Sequence, residues 1–158
     1  AEKNGVEEVS FTFEGHSVKR KRGLHFLTNE ELKKGEVSLT YVAKLMNRSY
    51  THGPKLKKVL QSIWHQINSA EEVFVVGKIL GDGTVKGGTG WGAEFAKLCN
   101  KPLYVFDQDK KEWLKWNQDR WKKASPKIHK RHFSGGGTRF LTLEGKKAIA
   151  DLYAVSFK

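Results

Sequence analysis

Seven glycines fall between residues 77 and 92: Gly77, Gly81, Gly83, Gly87, Gly88, Gly90 and Gly92. The densest part reads Gly87-Gly88-Thr89-Gly90-Trp91-Gly92 and runs straight into Ala93-Glu94 and an apolar segment. Glycine lets backbone N–H groups approach a ligand with no Cβ in the way. Ahead of a helix, those groups and the helix dipole make an anion site. Gly87, Gly88, Thr89 and Gly90 meet that requirement, and the Thr89 hydroxyl adds a donor. The same residues also suit a tight turn that only lets a helix pack on a sheet. Phosphate or nucleotide binding is ranked first because glycines, a helix start and a strand end, Gly77, coincide. The spacing is neither the dinucleotide GxGxxG fingerprint nor a Walker loop, since no GK[ST] follows.

Polar side chains gather around this stretch. Glu94 is read as lying one turn into the helix, facing the loop as a general acid or base, or as a ribose contact. Its structural alternative is a first-turn glutamate favoured by the helix dipole. Asp107 ends the next apolar run at the same sheet edge, as a ligand contact or as a turn residue. Gly135-Gly136-Gly137-Thr138-Arg139 reads as a second glycine loop. There Gly136 and Thr138 are candidate ligand contacts, and Arg139 suits bidentate pairing with a phosphate. Arg48 is a weaker candidate for the same task. The six histidines do not fall in a zinc pattern, and neither a metal nor a cofactor is expected.

These residues need elements to hold them. Val73, Phe74, Val75 and Val76 form a continuous apolar run, as a strand buried on both faces should. A helix is expected over 93–98 with Asn100 as its stop, then a second strand over 103–106 after Pro102. Strand, glycine loop, helix and strand make one βαβ unit with parallel strands. Ligands of open α/β sheets sit beyond the carboxyl ends of such strands.

Upstream, residues 1–4 read as the end of a helix stopped by Gly5, so an earlier βα unit is expected to precede the chain, or else the terminus is simply frayed. Val9, Phe11 and Phe13 alternate as in a strand. Thr28 with Glu31 fits a capping box, and Gly35 interrupts the helix it starts. Val37, Tyr41, Leu45 and Met46 recur at helical spacing. A polar stretch, Arg48 to His52 with Thr51 inside it, precedes Gly53-Pro54. Pro54 opens a helix with a stripe of Leu56, Val59, Leu60, Ile63, Trp64 and Ile67; His65 beside it is read as structural. Downstream, Trp113, Trp116 and Trp121 alternate with lysines, which fits a β-hairpin turning near Asn117-Gln118-Asp119. Residues 128–134 are a candidate strand. Thr142 caps a terminal helix whose inner face is Ala148, Ile149, Leu152, Tyr153 and Phe157.

The run Lys86-Gly87-Gly88-Thr89-Gly90-Trp91-Gly92-Ala93-Glu94 resembles the PGGxGTxxE motif of the Rossmann-like superfamily often called SLOG. That superfamily joins the cytokinin-activating "lonely guy" phosphoribohydrolases, the lysine decarboxylase-like proteins and DNA-processing protein A. The resemblance covers residues 73–107, and residues 101–107 look like the strand that follows in relatives. Lys86 replaces the proline and Trp91 the threonine. The resemblance implies that Gly87, Gly88 and Gly90 hold a nucleotide phosphate, that Glu94 assists cleavage of an N-glycosidic bond, and that the protein forms dimers. Trp91 then offers an indole on which a ligand can stack. The expected fold is α/β, a Rossmann-like three-layer sandwich with a mostly parallel sheet and a small Trp-rich β-hairpin.

The 158 residues suit one domain. No apolar run approaches a membrane span, and no signal peptide is visible, so a cytoplasmic protein is expected. Cys99, the single cysteine, is assigned to buried packing. A formal charge of +12 favours phosphates, polyanions or acidic partners. The alternative to a nucleotide site is therefore a nucleic-acid-binding module, resting on that charge, on Lys19-Arg20-Lys21-Arg22, and on the Trp and Lys residues of 110–123. A third reading is an interaction domain that has lost its ligand.

Overall fold

The computed structural model describes residues 1–50 and 53–158; Thr51 and His52, in the polar stretch before Pro54, lie outside the described residues. The contacts of the chain cluster in two compact units, Ala1–Gln66 and Ile67–Lys158.

In the first unit, β1 (Ser10–Thr12) and β2 (Leu24–Phe26) pair in parallel. Helix α1 (Asn29–Lys33) opens with the expected capping box. Glu31 N donates to Thr28 Oγ1 at 3.2 Å, and Thr28 N donates to Glu31 Oε2 at 2.8 Å. Helices α2 (Glu36–Met46) and α3 (Pro54–Asn68) follow. Phe13, Leu27 and Leu32 form a core with Phe11 and Val59 against it. His65 is structural, its Nε2 lying 2.7 Å from the Glu31 carbonyl oxygen.

The α2 stripe expected from spacing is corrected. Of the expected residues Met46 is buried, but Val37 is 83% exposed and Tyr41 and Leu45 are more than half exposed, while Leu39 and Val42 turn inward beside Met46. Both sets satisfy helical periodicity, and packing chooses between them. A Cβ on Gly35 would stand 2.7 Å from the Trp64 ring, so the glycine permits a close approach at the start of α2.

The second unit holds a five-stranded sheet in the order β6-β5-β4-β3-β7. Its strands are β3 (Glu72–Gly77), β4 (Leu103–Asp107), β5 (Glu112–Asn117), β6 (Arg120–Lys123) and β7 (Phe133–Gly137). β3 pairs in parallel with both β4 and β7, and β5 and β6 extend the sheet antiparallel. All six residues of β3 are buried. Each large apolar side chain buried there contributes about 1.5–3 kcal/mol relative to exposure.

Helix α4 (Gly88–Leu98) joins β3 to β4 and lies along β3. Helix α5 (Leu143–Ser156) is capped by Thr142, whose Oγ1 accepts from Gly145 N at 3.0 Å. Ala148 and Leu152 of α5 pack on Phe74, Val76 and Phe106, the side chains of one sheet face. Because strand side chains alternate, Val73, Val75 and Gly77 face the other way, where a Cβ on Gly77 would meet Val85 at 2.9 Å and Thr89 of α4 at 3.7 Å. The unit is thus a mixed α/β layering with one helix on each face. Lys101 Nζ donates to the carbonyls of Ile67 and Asn68 at 2.8 Å each, supplying partners at the end of α3. Cys99 is exposed at the end of α4, not buried.

Candidate functional site at the β3–β7 crevice

Helix α4 begins at Gly88, five residues earlier than the sequence suggests. Gly88, Thr89, Gly90 and Gly92 are therefore first-turn and second-turn helix residues, not loop. Glycine is a poor helix former, and here burial overrides propensity: Trp91 is 5% exposed and sits in the core with Ala93 and Phe95. The bend precedes the helix, at Gly87, with φ 71 and ψ −156. No side chain caps α4. Its first N–H groups lie at the carboxyl end of β3, within reach of Gly77.

Two connections diverge at this point. The chain leaves β3 through α4 on one face and leaves neighbouring β7 through α5 on the other. A crevice forms outside strands whose connections part in this way, and it is where open α/β sheets hold ligands. Gly77 closes β3, residues 87–90 open α4, and Thr138 and Arg139 follow β7 at the same edge. Thr138 N donates to Val76 O at 3.0 Å, and Gln108 N donates to Gly77 O at 2.9 Å. Arg139 is exposed there.

Gln108 is the residue that sequence reasoning missed. Its Nε2 donates to Phe140 O at 3.1 Å, and its Oε1 accepts from Thr142 N at 2.8 Å and from Thr142 Oγ1 at 3.1 Å. It ties the end of β4 to the 138–142 segment, whose Phe140 is 85% exposed. The only signal in the sequence was its place after Asp107. The Asp109 carboxylate, hydrogen-bonded to Lys78, holds that ammonium above the usual lysine range.

Other expected residues land elsewhere. Gly136 lies within β7, opposite Val75, not in a loop. Gly135, Gly136 and Gly137 extend the sheet because β3 offers a free edge, which outweighs the low strand preference of glycine. Trp91 is unavailable as a stacking surface because it is core. Asp107 is 1% exposed, and its Oδ1 accepts from Asp109 N at 3.0 Å, the turn role. Glu94 is the seventh residue of α4, well past the first turn, and 8% exposed. Its Oε1 receives Lys97 Nζ at 2.7 Å. The same ammonium stands 3.9 Å from the Trp116 ring centroid and 5.2 Å from that of Trp121, and donates to Gly83 O at 3.3 Å. Trp121 Nε1 also donates to Gly83 O, at 2.8 Å. Glu94, Lys97 and the two tryptophans thus form a satisfied, partly buried cluster that fastens β5 and β6 and the 78–86 segment to α4.

The 19–22 cluster and Arg48 fall in the first unit. Arg20 Nε donates to Glu8 Oε1 at 3.0 Å, and Arg22 pairs with Glu8 at 3.2 Å and with Glu2 at 2.9 Å. Two of those four charges are thereby neutralised locally. Arg20, and then Arg22, hold the Glu8 carboxyl down to about 2. Among the described residues, no group of three His, Cys, Asp or Glu side chains could hold a metal ion, and no helix is long and apolar enough to cross a membrane. No family model, curated protein or solved structure matches this chain.

Proposed function

We propose that the second unit is a Rossmann-like domain that binds a nucleotide or nucleotide-derived phosphate ligand at the β3–β7 crevice, in the manner of the SLOG superfamily that residues 86–94 resemble. One observation carries the reading: the uncapped glycine start of α4 lies where the α4 and α5 connections part company. Backbone N–H groups of Gly88 and Thr89 receive the phosphate, helped by the helix dipole, while Gly90 N is already bonded to Gly87 O at 3.1 Å. The Thr89 hydroxyl and the Arg139 guanidinium supply further donors. Gly77 lets Val85 and Thr89 pack close against the end of β3, and Gln108 holds the 138–142 segment at the rim.

Binding is favoured over cleavage. Hydrolysis of an N-glycosidic bond through Glu94 requires that carboxylate to leave Lys97, within a cluster that is already satisfied. A thermal-shift screen tests the proposal with mono-, di- and triphosphates of nucleosides, ADP-ribose and cyclic dinucleotides. A ligand specific for the folded state raises the midpoint by mass action. A selective rise for one nucleotide, lost in Gly88→Val, supports the site; a panel with no rise at millimolar ligand refutes it. Product analysis with wild type and Glu94→Gln then decides the reaction: turnover lost only in the variant assigns cleavage to Glu94.

A further inference from the structure

Residues 127–132 read Lys-Ile-His-Lys-Arg-His, five basic side chains in six positions. All five are exposed, while Ile128 alone turns inward, 6% exposed, against Phe74 and Leu152. The segment is irregular, not the strand expected over 128–134; β7 begins only at Phe133. Its backbone is nevertheless held at consecutive positions. Ile128 N donates to Ser156 Oγ at 2.9 Å. His129 N and Lys130 N both donate to Glu72 Oε1, at 2.7 and 2.8 Å, and Glu72 is 3% exposed. A buried carboxylate, a serine hydroxyl and an apolar plug therefore fix a loop that presents Lys127, Lys130 and Arg131 outward, with His129 and His132 beside them and the Glu71 carboxylate 3.5 Å from His132 Nδ1. The loop leads into the amino end of β7, whereas the crevice lies beyond its carboxyl end.

We propose that residues 127–132 form a docking surface for the phosphate backbone of nucleic acid. Neutralising phosphates along a chain is worth most to a rigid row of cations, because little side-chain and loop freedom is left to lose on binding. Arg131 adds bidentate phosphate geometry to the point charges of Lys127 and Lys130. The loop has no exposed apolar side chain to insert into lipid, which argues against a membrane surface. Recognition is through backbone phosphate and is independent of sequence. This reading stands apart from the nucleotide crevice and does not depend on it.

Fluorescence anisotropy of the full chain with a labelled single-stranded 20-mer and its duplex, between 50 and 200 mM salt, tests the proposal. The expected dissociation constant is about 10⁻⁶ to 10⁻⁴ M at physiological salt, weakening steeply as salt rises. Lys130→Glu with Arg131→Glu weakens binding at least about tenfold and flattens the slope of log K against log salt by about two. Lys19→Glu with Lys21→Glu, in the other unit, changes affinity less than twofold. Melting curves matching wild type confirm that the exposed replacements leave the fold intact. Three results overturn the proposal: no binding at 50 mM salt, a 130/131 reversal that leaves affinity within twofold, or tighter binding to phosphatidylserine vesicles than to either oligonucleotide.

Discussion

Replacing Gly87 with alanine isolates the backbone feature on which the crevice depends. At φ 71 and ψ −156 the residue occupies a region that is essentially closed to side-chain-bearing residues. Nothing lies within 4 Å of the position a Cβ would take, so the cost is conformational strain and not collision. That strain amounts to about 1–3 kcal/mol. Gly88 is the matched control: it also has open space around its Cβ position, but it lies inside the helix. There alanine is favoured over glycine by up to about 1 kcal/mol. Urea melts of the two variants should therefore move in opposite directions, Gly87→Ala destabilised and Gly88→Ala unchanged or stabilised. In the same samples Gly87→Ala weakens nucleotide binding, because the first N–H groups of α4 are re-aimed. A Gly87→Ala protein within 0.5 kcal/mol of wild type would refute the claim that this residue sets the start of α4.

Three further perturbations follow from the packing. Lys97→Met strands the buried Glu94 carboxylate and costs about 3–5 kcal/mol; adding Glu94→Gln recovers much of this in denaturant melts, and a double variant no more stable than the single one contradicts the pairing. A Cβ on Gly145 would stand 2.6 Å from Gln108 Oε1 and 3.1 Å from Val76 Cγ1, so Gly145→Ala costs about 1–3 kcal/mol by overpacking and speeds hydrogen exchange at Thr142, which an unchanged rate would disprove. The depressed Glu8 carboxyl stabilises the fold fully above the ordinary value of 4.5, and that stability is lost as pH falls toward about 2. Glu8→Gln should flatten this part of the stability-pH curve; an unaltered curve would remove the Arg20 and Arg22 pairing as its cause.

Local signals were legible in the chain. The Thr28–Glu31 box, the Thr142 cap, the αL Asn100 and the βαβ order over residues 73–107 depend on neighbours in sequence. What stayed hidden depends on distant partners. Helix α4 begins in a glycine run because Trp91 is pulled into the core, and no propensity reports that burial. The two stripes of α2 are equally periodic, so which of them faces inward was settled by packing. Gly135, Gly136 and Gly137 are strand because β3 had an unpaired edge. Glu72 meets His129 N from 57 residues away, and Gln108 reaches Thr142 across 34. The glycine-rich end of β3 was legible, but Glu94 lies nearly two turns into its helix because α4 starts at Gly88, ahead of the apolar segment.

The central claim, a nucleotide phosphate at the carboxyl end of β3, is tested most directly by amide chemical shifts of the ¹⁵N-labelled chain titrated with the nucleotide that raises the melting midpoint most. The account predicts saturable shifts concentrated at Gly77, residues 87–90 and Thr138, with Lys130 and the first unit unmoved. Saturable shifts elsewhere, with residues 87–90 unmoved, would contradict it.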